Sequence, residues 1–378
     1  MVAATAGDAV TERARHLHER SLVWDCHMDT LQAPVIDGTD LGRPSSVWPD
    51  LGHWRRGGIR AQVFAVWVDT IYGPHRATRR AIQQIDAFHE LCRRHPDQIE
   101  LARTGADVRR IAKSGKLAGL ISLEGGLALE NDLSVLRAFH RLGVSSMTLT
   151  HSNTIDWVDS STDAPRSNGL SDFGRQVIAE MNRLGMVVDV SHVSDQAVRD
   201  VVAVSSVPVI ASHSCAKALC EHQRNLTDEL LKAIADKGGV IGVNFYASFL
   251  DLRSWEATLA ARGNLLHNLN QPPTIAPEDL DRVAGRRLIE FFQDRVPVPG
   301  LERLIDHLAH MVNVAGEDHI GLGSDLGAPG IPLPVGIETP ADFPKVTDGL
   351  LRRGLSEAVV EKVLGGNFLR LWDGVARV

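Results

Sequence analysis

The segment VWDCHMDT places His27 and Asp29 two residues apart. In an extended strand, residues i and i+2 face the same side. At a strand end the imidazole and the carboxylate would therefore point into one space, a pair suited to a divalent metal ion. Taken alone, the pair reads better as an ordinary histidine beside a turn-capping aspartate. Glu124 follows the apolar run LAGLISL and precedes Gly125 and Gly126. A carboxylate ending a buried strand must be paired or ligated, because burying it bare is costly, and two glycines let the chain turn sharply. One such carboxylate can bridge two metal ions; a helix cap or salt bridge is the equal alternative. The third feature is repeated. VVDVSHVSD and PVIASHSCA are each a β-branched run, then serine, then histidine, and they present His192 and His213. Two consecutive strands ending alike favour two imidazoles on one metal.

These side chains need a frame that brings strand ends together. Short apolar runs at 22–27, 61–68, 118–123, 146–150, 186–191, 207–212, 240–245 and 319–323 alternate with amphipathic helical patterns. Ser194, Thr227 and Ser356 read as helix caps, Gly365 as a helix stop, and 76–94 as a helix burying Ile82, Ile85, Phe88 and Cys92. Eight strands alternating with helices predict an α/β protein, a (β/α)8 TIM barrel with insertions in the active-site loops. A doubly wound sheet is the runner-up, but no GxGxxG follows the first strand. The chain, 1–378, reads as a single domain with a proline-bearing insertion at about 247–298. In a barrel, His27, Asp29, Glu124, His151, His192, His213 and Asp325 all fall at the C-terminal ends of strands. His16, His18, His89, His95, His222, His307 and His310 lie on helical or polar stretches and read as solvated. Cys26 and Met28 read as packing residues that alternate away from the ligands.

Composition narrows the class. Hydrophobic residues make up 44% of 378, enough for a sizeable core, and the formal charge of -7 argues against a nucleic-acid partner. No run of about eighteen apolar residues suggests a membrane span. The N-terminal segment lacks a signal-like apolar core, so a cytoplasmic protein is expected. The four cysteines are too few and too scattered for a disulfide framework.

Together the pieces DCHMDT, LEGG, LTHSNTIDW, GLSDFG, DVSHVSD, SHSCA, QRNLTD, VNFY and GLGSD resemble the membrane (renal) dipeptidase family of amidohydrolase-like metal-dependent barrels. The resemblance runs from about Leu22 to about Trp372. It implies two Zn2+ per chain, bridged by Glu124 and a water or hydroxide. His27 and Asp29 would complete one site, and His192 and His213 the other. It further implies that His151 and Arg224 contact the substrate, with Asn225 beside Arg224, and that Asp325 handles protons. Asn244 and Tyr246, which share a strand face, are candidate pocket residues, with a core role the equal alternative. Two positions depart from the family pattern: Gly327 stands where an acid is common, and the usual DGHND is DCHMD here. The lipid anchor of the mammalian enzymes has no counterpart in this sequence; a homodimer is expected from the resemblance alone.

The implied reaction is hydrolysis of a dipeptide by metal-activated hydroxide, with a D-residue at the C-terminal position compatible. Arg224 would clamp the terminal carboxylate. Two alternatives stay open: another amidohydrolase, acting on an N-acyl amino acid or lactam at the same metals, and an inactive metal-binding barrel. A substrate panel separates the first from a dipeptidase; about two metals per chain without turnover would mark the second.

Overall fold

The computed structural model describes residues 10–73, 75–269, 296–327 and 330–375. Its strands are β1 (Val23–Met28), β2 (Ile59–Trp67), β3 (Ile99–Leu101), β4 (Leu117–Glu124), β5 (Val144–Thr148), β6 (Val187–Asp189), β7 (Ile210–Ala211), β8 (Val240–Val243) and β9 (Ile320–Leu322). All pair in parallel. β1 joins β2 and β9, β2 joins β4, and the remaining strands follow in sequence, closing an eight-stranded ring. β3 lies outside that ring and pairs only with the start of β4. The eight ring strands are the eight expected from the sequence; three-residue β3 was too short to stand out.

Parallel strands buried on both faces need apolar runs, and β1, β4 and β5 are buried along their whole length. Inside the ring, Ala61 and Val63 stand opposite Ala118 and Leu120 in β4. They share a cluster with Trp24, Cys26, Val187, Ile210 and Val240, and with Phe368, Leu371 and Trp372 of the C-terminal helix Asn367–Val375. Trp24 packs on Trp372 and Phe368 at ring-centroid distances of 5.0 and 6.0 Å, near the strand starts. The apolar filling thus occupies the N-terminal end of the barrel and leaves the C-terminal end to polar groups.

Three local departures from regularity matter. Between Asp25 and Met28, two residues of β1 (Cys26 and His27) face one of β2 (Val63), since Asp25 pairs with Gln62 and Met28 with Phe64. This bulge re-aims the strand end. Strict alternation therefore fails here: Cys26 belongs to the interior cluster, yet the adjacent His27 also reaches the site. Second, β6 and β7 are shorter than the sequence suggests. The Asp189 carboxylate takes the N–H groups of Ser191 and Ser212, each at 2.9 Å, so the backbone leaves the ladder early. Third, Gly365 breaks its helix as expected: at φ 170° and ψ -15° its backbone is non-helical, and the chain kinks there before the final helix. A Cβ there would overlap the Leu22 carbonyl.

The caps at Ser194, Thr227 and Ser356 form as expected, each side chain accepting a first-turn N–H. In the helix Ala77–Arg94, Ile85 and Phe88 are buried, but Ile82 is 45% exposed and Cys92 only partly buried. Arg80 and Gln84 take the inner positions instead. They belong to a network in which Gln32 and Gln84 both donate to the Trp67 carbonyl, at 2.7 and 2.6 Å, fixing the end of β2. The expected insertion begins with the helices Ala247–Leu250 and Leu252–Leu269; 270–295 lie outside the described residues. No described helix is long and apolar enough to cross a membrane.

Gly323, just past β9, approaches β7 so closely that a Cβ would overlap the Ser212 carbonyl oxygen. Gly323→Ala should lower unfolding free energy by about 1–3 kcal/mol, the cost of overpacking a closed core. Urea denaturation is the check; an unchanged midpoint would show that the two strands are free to part.

Candidate metal centre

The strand ends deliver the predicted ligands to one point. Glu124 Oε1 lies 3.4 Å from His27 Nε2, 3.1 Å from His192 Nε2 and 3.5 Å from His213 Nε2. His151 Nε2 is 4.0 Å from the same oxygen. Asp29 and Asp325 flank His27, with carboxylate oxygens 4.0 and 3.9 Å from its Nε2. Ligand atoms cluster in three overlapping sets: His27 with Asp29 and Glu124; Glu124 with His192 and His213; and His27 with His213 and Asp325. The first two match the sets expected from the sequence. The third brings Asp325 within ligand reach as well.

These residues fit divalent metal ions. His192 Nε2 and His213 Nε2 face each other at 2.8 Å, a contact between two ring nitrogens that a shared cation would satisfy on both sides. Both nitrogens of His27, Glu124 Oε2 and Asp29 Oδ1 are buried without a hydrogen-bond partner among the described residues. Buried polar atoms are rarely left so.

Charge follows the same logic. Burial pushes His27 down, but Glu124, Asp29 and Asp325 more than offset it and raise it to about 10. Burial pushes Glu124 up, yet His27 and His192 hold it well below the usual carboxylate range. Burial, then Glu124, raises Asp29. Asp325 is raised too, by burial and against the pull of His27. Burial lowers His192 and His213, leaving neutral imidazoles with lone pairs to offer. His151 falls to about 4, mainly by burial.

The backbone is bent to make this arrangement. His192 and Asp325 are non-glycine residues in the left-handed region, at φ 70° and 59°. Such positions cluster where surroundings over-determine them. Gly126 lies against Trp157 and the Leu149 carbonyl, where a side chain has no room. Gly327, at φ 132°, would put a Cβ 2.9 Å from the Asp29 nitrogen. The loop after β9 thus runs against the backbone of Asp29 at the position where the family commonly has an acid.

Arg224 is buried. One guanidinium nitrogen donates to the His213 carbonyl at 3.2 Å, while Nε has no partner among the described residues. Its carbon sits 5.3 Å from the Phe249 ring centre. Burial lowers its pKa to about 10, so it stays charged at neutral pH. Asn225 is almost fully buried, and its amide nitrogen is spent on the carbonyls of Cys220 and Phe249, both at 2.8 Å. Tyr246 is buried with its ring edge-on to Phe249.

Sequence reasoning offered Asn244, with Tyr246, as a pocket candidate but did not foresee what it supports: it donates to Asp325 Oδ2 at 2.9 Å and accepts the Tyr246 N–H at 2.6 Å. A buried asparagine after the run VIGV needs such partners, which was the available signal. His222 is not solvated. It lies between the rings of Phe249 and Trp255, accepts the Arg224 N–H at 3.0 Å and is pushed down to about 3 by burial. His18 and His307 are likewise buried, held by hydrogen bonds to Thr347 and to the Leu250 carbonyl.

The 152–170 loop is woven into the centre. Ser160 Oγ donates to the His151 carbonyl at 2.8 Å, and Ser161 N–H donates to that of His192 at 2.8 Å. Asp159 accepts the N–H groups of Arg166, Ser167 and Gly169. Burial raises Asp159, but those bonds outweigh it and hold it below its ordinary value.

A depressed carboxylate stabilises the fold above its unfolded pKa and loses that contribution as pH falls through the folded value. The loop's hydrogen-exchange protection should therefore fall below about pH 4, and Asp159→Asn should remove that pH-dependent part. A loop equally protected at pH 3 and 7 would contradict this. Zinc at about 100-fold above its Kd should stabilise the wild type by about 2.7 kcal/mol, seen as a Tm rise of a few degrees. Glu124→Ala should abolish the rise; a retained shift would place the metal elsewhere.

A family profile described as membrane dipeptidase (peptidase family M19) matches residues 11–378. The curated dipeptidase tcpJ of Claviceps purpurea is 37% identical over 299 residues, 79% of this chain and 60% of that protein. The chain thus spans about three-fifths of the length of that relative. Among solved structures, the probable dipeptidase PvdM from Pseudomonas aeruginosa superposes with a TM-score of 0.84 at 29% identity, over 97% of this chain and 98% of that one. A structure described as dipeptidase AC, a metallo peptidase of family M19, gives 0.76 at 25% identity, over 95% and 99% of the two chains. The match along nearly the whole chain places this protein in the membrane dipeptidase family, peptidase family M19.

Proposed function

We propose that this chain is a binuclear zinc dipeptidase that cuts a dipeptide held by its free carboxylate. The observation that carries the reading is the sharing of Glu124 Oε1 by His27, His192 and His213, beside a buried arginine with an unengaged Nε. Family membership supports peptide-bond hydrolysis as the reaction. His27, Asp29 and Glu124 would hold one ion, and Glu124, His192 and His213 the other. Ions bound there supply a Lewis acid and acidify a water at neutral pH.

The chain's own residues do the rest. Asp325 accepts the proton of the attacking water and returns it to the leaving amine, a task helped by its raised affinity for protons. Asn244 keeps that carboxylate aimed. His151, neutral at pH 7, donates a hydrogen bond to the developing oxyanion. Arg224 takes the substrate's terminal carboxylate in a two-pronged pair. A clamp at a fixed distance from the bond-cleaving atoms measures length, so two-residue substrates are favoured. The clamp is indifferent to the handedness of the residue it grips, which admits D-residues at the C-terminal position.

Zinc-loaded protein should release amino acids from a dipeptide panel that includes D-residues at the second position, and chelator should stop it. Inertness across the panel, with turnover of N-acyl amino acids or lactams, would replace this reading with another amidohydrolase. Arg224→Met should lower kcat/KM on free dipeptides about 100-fold, in line with roughly 2–5 kcal/mol for a buried charge pair. It should leave C-terminal amides nearly unchanged; equal loss on both would remove Arg224 from the clamp.

A further inference from the structure

Asp189 sits at the end of β6 with no solvent exposure. Its two oxygens receive four donors. Oδ1 accepts the N–H groups of Ser191 and Ser212, each at 2.9 Å. Oδ2 accepts the Thr148 hydroxyl at 2.5 Å and the Ser212 hydroxyl at 2.6 Å. A carboxylate engaged at all four lone-pair sites is an acceptor only. The single Ser212 hydroxyl proton therefore goes to Asp189, favoured over the Ser191 hydroxyl at 3.4 Å. The Ser212 oxygen also lies 2.7 Å from His213 Nδ1. With its own proton committed, that oxygen can only accept, so Nδ1 must carry the imidazole proton. Nε2 is then left with its lone pair directed at Glu124 and His192. His27 Nδ1 and His192 Nδ1, by contrast, have no hydrogen-bond partner among the described residues. His213 is the one predicted ligand histidine whose far nitrogen is held.

We infer that Asp189 and Ser212 are positioning residues that fix His213 in the metal-ready tautomer through an aspartate–serine–imidazole relay. The inference rests on the metal reading of the site. Partners behind a ligand histidine set its tautomer and orientation, and their loss commonly weakens metal binding 10–100-fold. The relay also predicts a specific effect of Asp189→Asn. Two backbone N–H groups demand an oxygen, so they fix the amide oxygen on their side and turn the Nδ2 group toward Ser212. The Ser212 oxygen would then accept from that amide and donate to His213 Nδ1, driving the ring proton onto Nε2, where a metal must bind.

The test uses the full-length protein in wild-type, Ser212→Ala, Asp189→Asn and Thr148→Val forms, each checked for native circular dichroism. Thr148→Val removes one hydrogen bond to Asp189 but leaves the relay to His213. Zinc affinity is read by competition with a chromophoric chelator, and the tautomer by long-range nitrogen–proton correlation spectra of histidine-labelled, metal-free protein. Ser212→Ala should weaken the affected zinc at least 10-fold. Asp189→Asn should weaken it further and move one histidine from the Nδ1–H to the Nε2–H form. Thr148→Val should stay within about 3-fold of wild type. If Asp189→Asn fails to fold, Ser212→Ala against Thr148→Val still decides. Equal zinc affinity in wild type and Ser212→Ala, or an equal loss in Thr148→Val, overturns the relay alone. A wild-type protein that takes up no zinc overturns the metal reading and the relay with it.

Discussion

The carboxylate of Glu124 is the group around which the mouth of the barrel is organised. It ends a strand that is otherwise apolar and is 3% exposed. A bare charge there would cost several kcal/mol in lost hydration. Imidazoles from β1, from the chain after β5, and from the turns after β6 and β7 all approach one of its oxygens. Two further carboxylates stand near, so protein cations alone do not balance the cluster. Such an excess of buried negative charge suits a metal better than it suits a structural ion pair.

Beneath that cluster, two buried aspartates serve the frame. Asp25 receives the N–H and hydroxyl of Ser324, tying β1 to the end of β9. Asp189 does the same between β6 and β7. Each replaces ladder hydrogen bonds at the point where the backbone must leave the sheet, next to a residue of the centre. The left-handed conformations of His192 and Asp325 become tolerable in that setting, because neighbouring groups leave the chain no relaxed alternative.

Much of this was legible in the sequence. Eight β-rich runs gave the ring, and the residue types at their ends gave the metal cluster, because a barrel brings all strand ends to one rim. Features that depend on partners distant in sequence were not legible. Nothing near His222 announces that Phe249 and Trp255 will enclose it. Ile82 fits a helical stripe but faces outward, since Arg80 and Gln84 find polar partners inside. Asn225 was placed beside Arg224 by adjacency, whereas its amide nitrogen is engaged by two backbone carbonyls. The strand ends at Asp189 and Ala211 were overrun because a side-chain acceptor, invisible to periodicity, takes over from the ladder.

The extra residue in β1 has a consequence for how a chain like this can vary. Deleting one residue between Asp25 and Met28 would restore regular pairing with β2. It would also exchange the inward and outward faces of the strand end and carry His27 and Asp29 out of register with Glu124. Regular geometry and the cluster are incompatible in this strand, so β1 cannot lose a residue and keep His27 and Asp29 at the site. The 247–298 arm leaves the barrel after β8 has ended. Its first two helices are tied to the site, because Phe249 and Trp255 pack on His222 and Phe249 lies under Arg224, so the start of the arm is held by ring contacts while the first strand is held by its register.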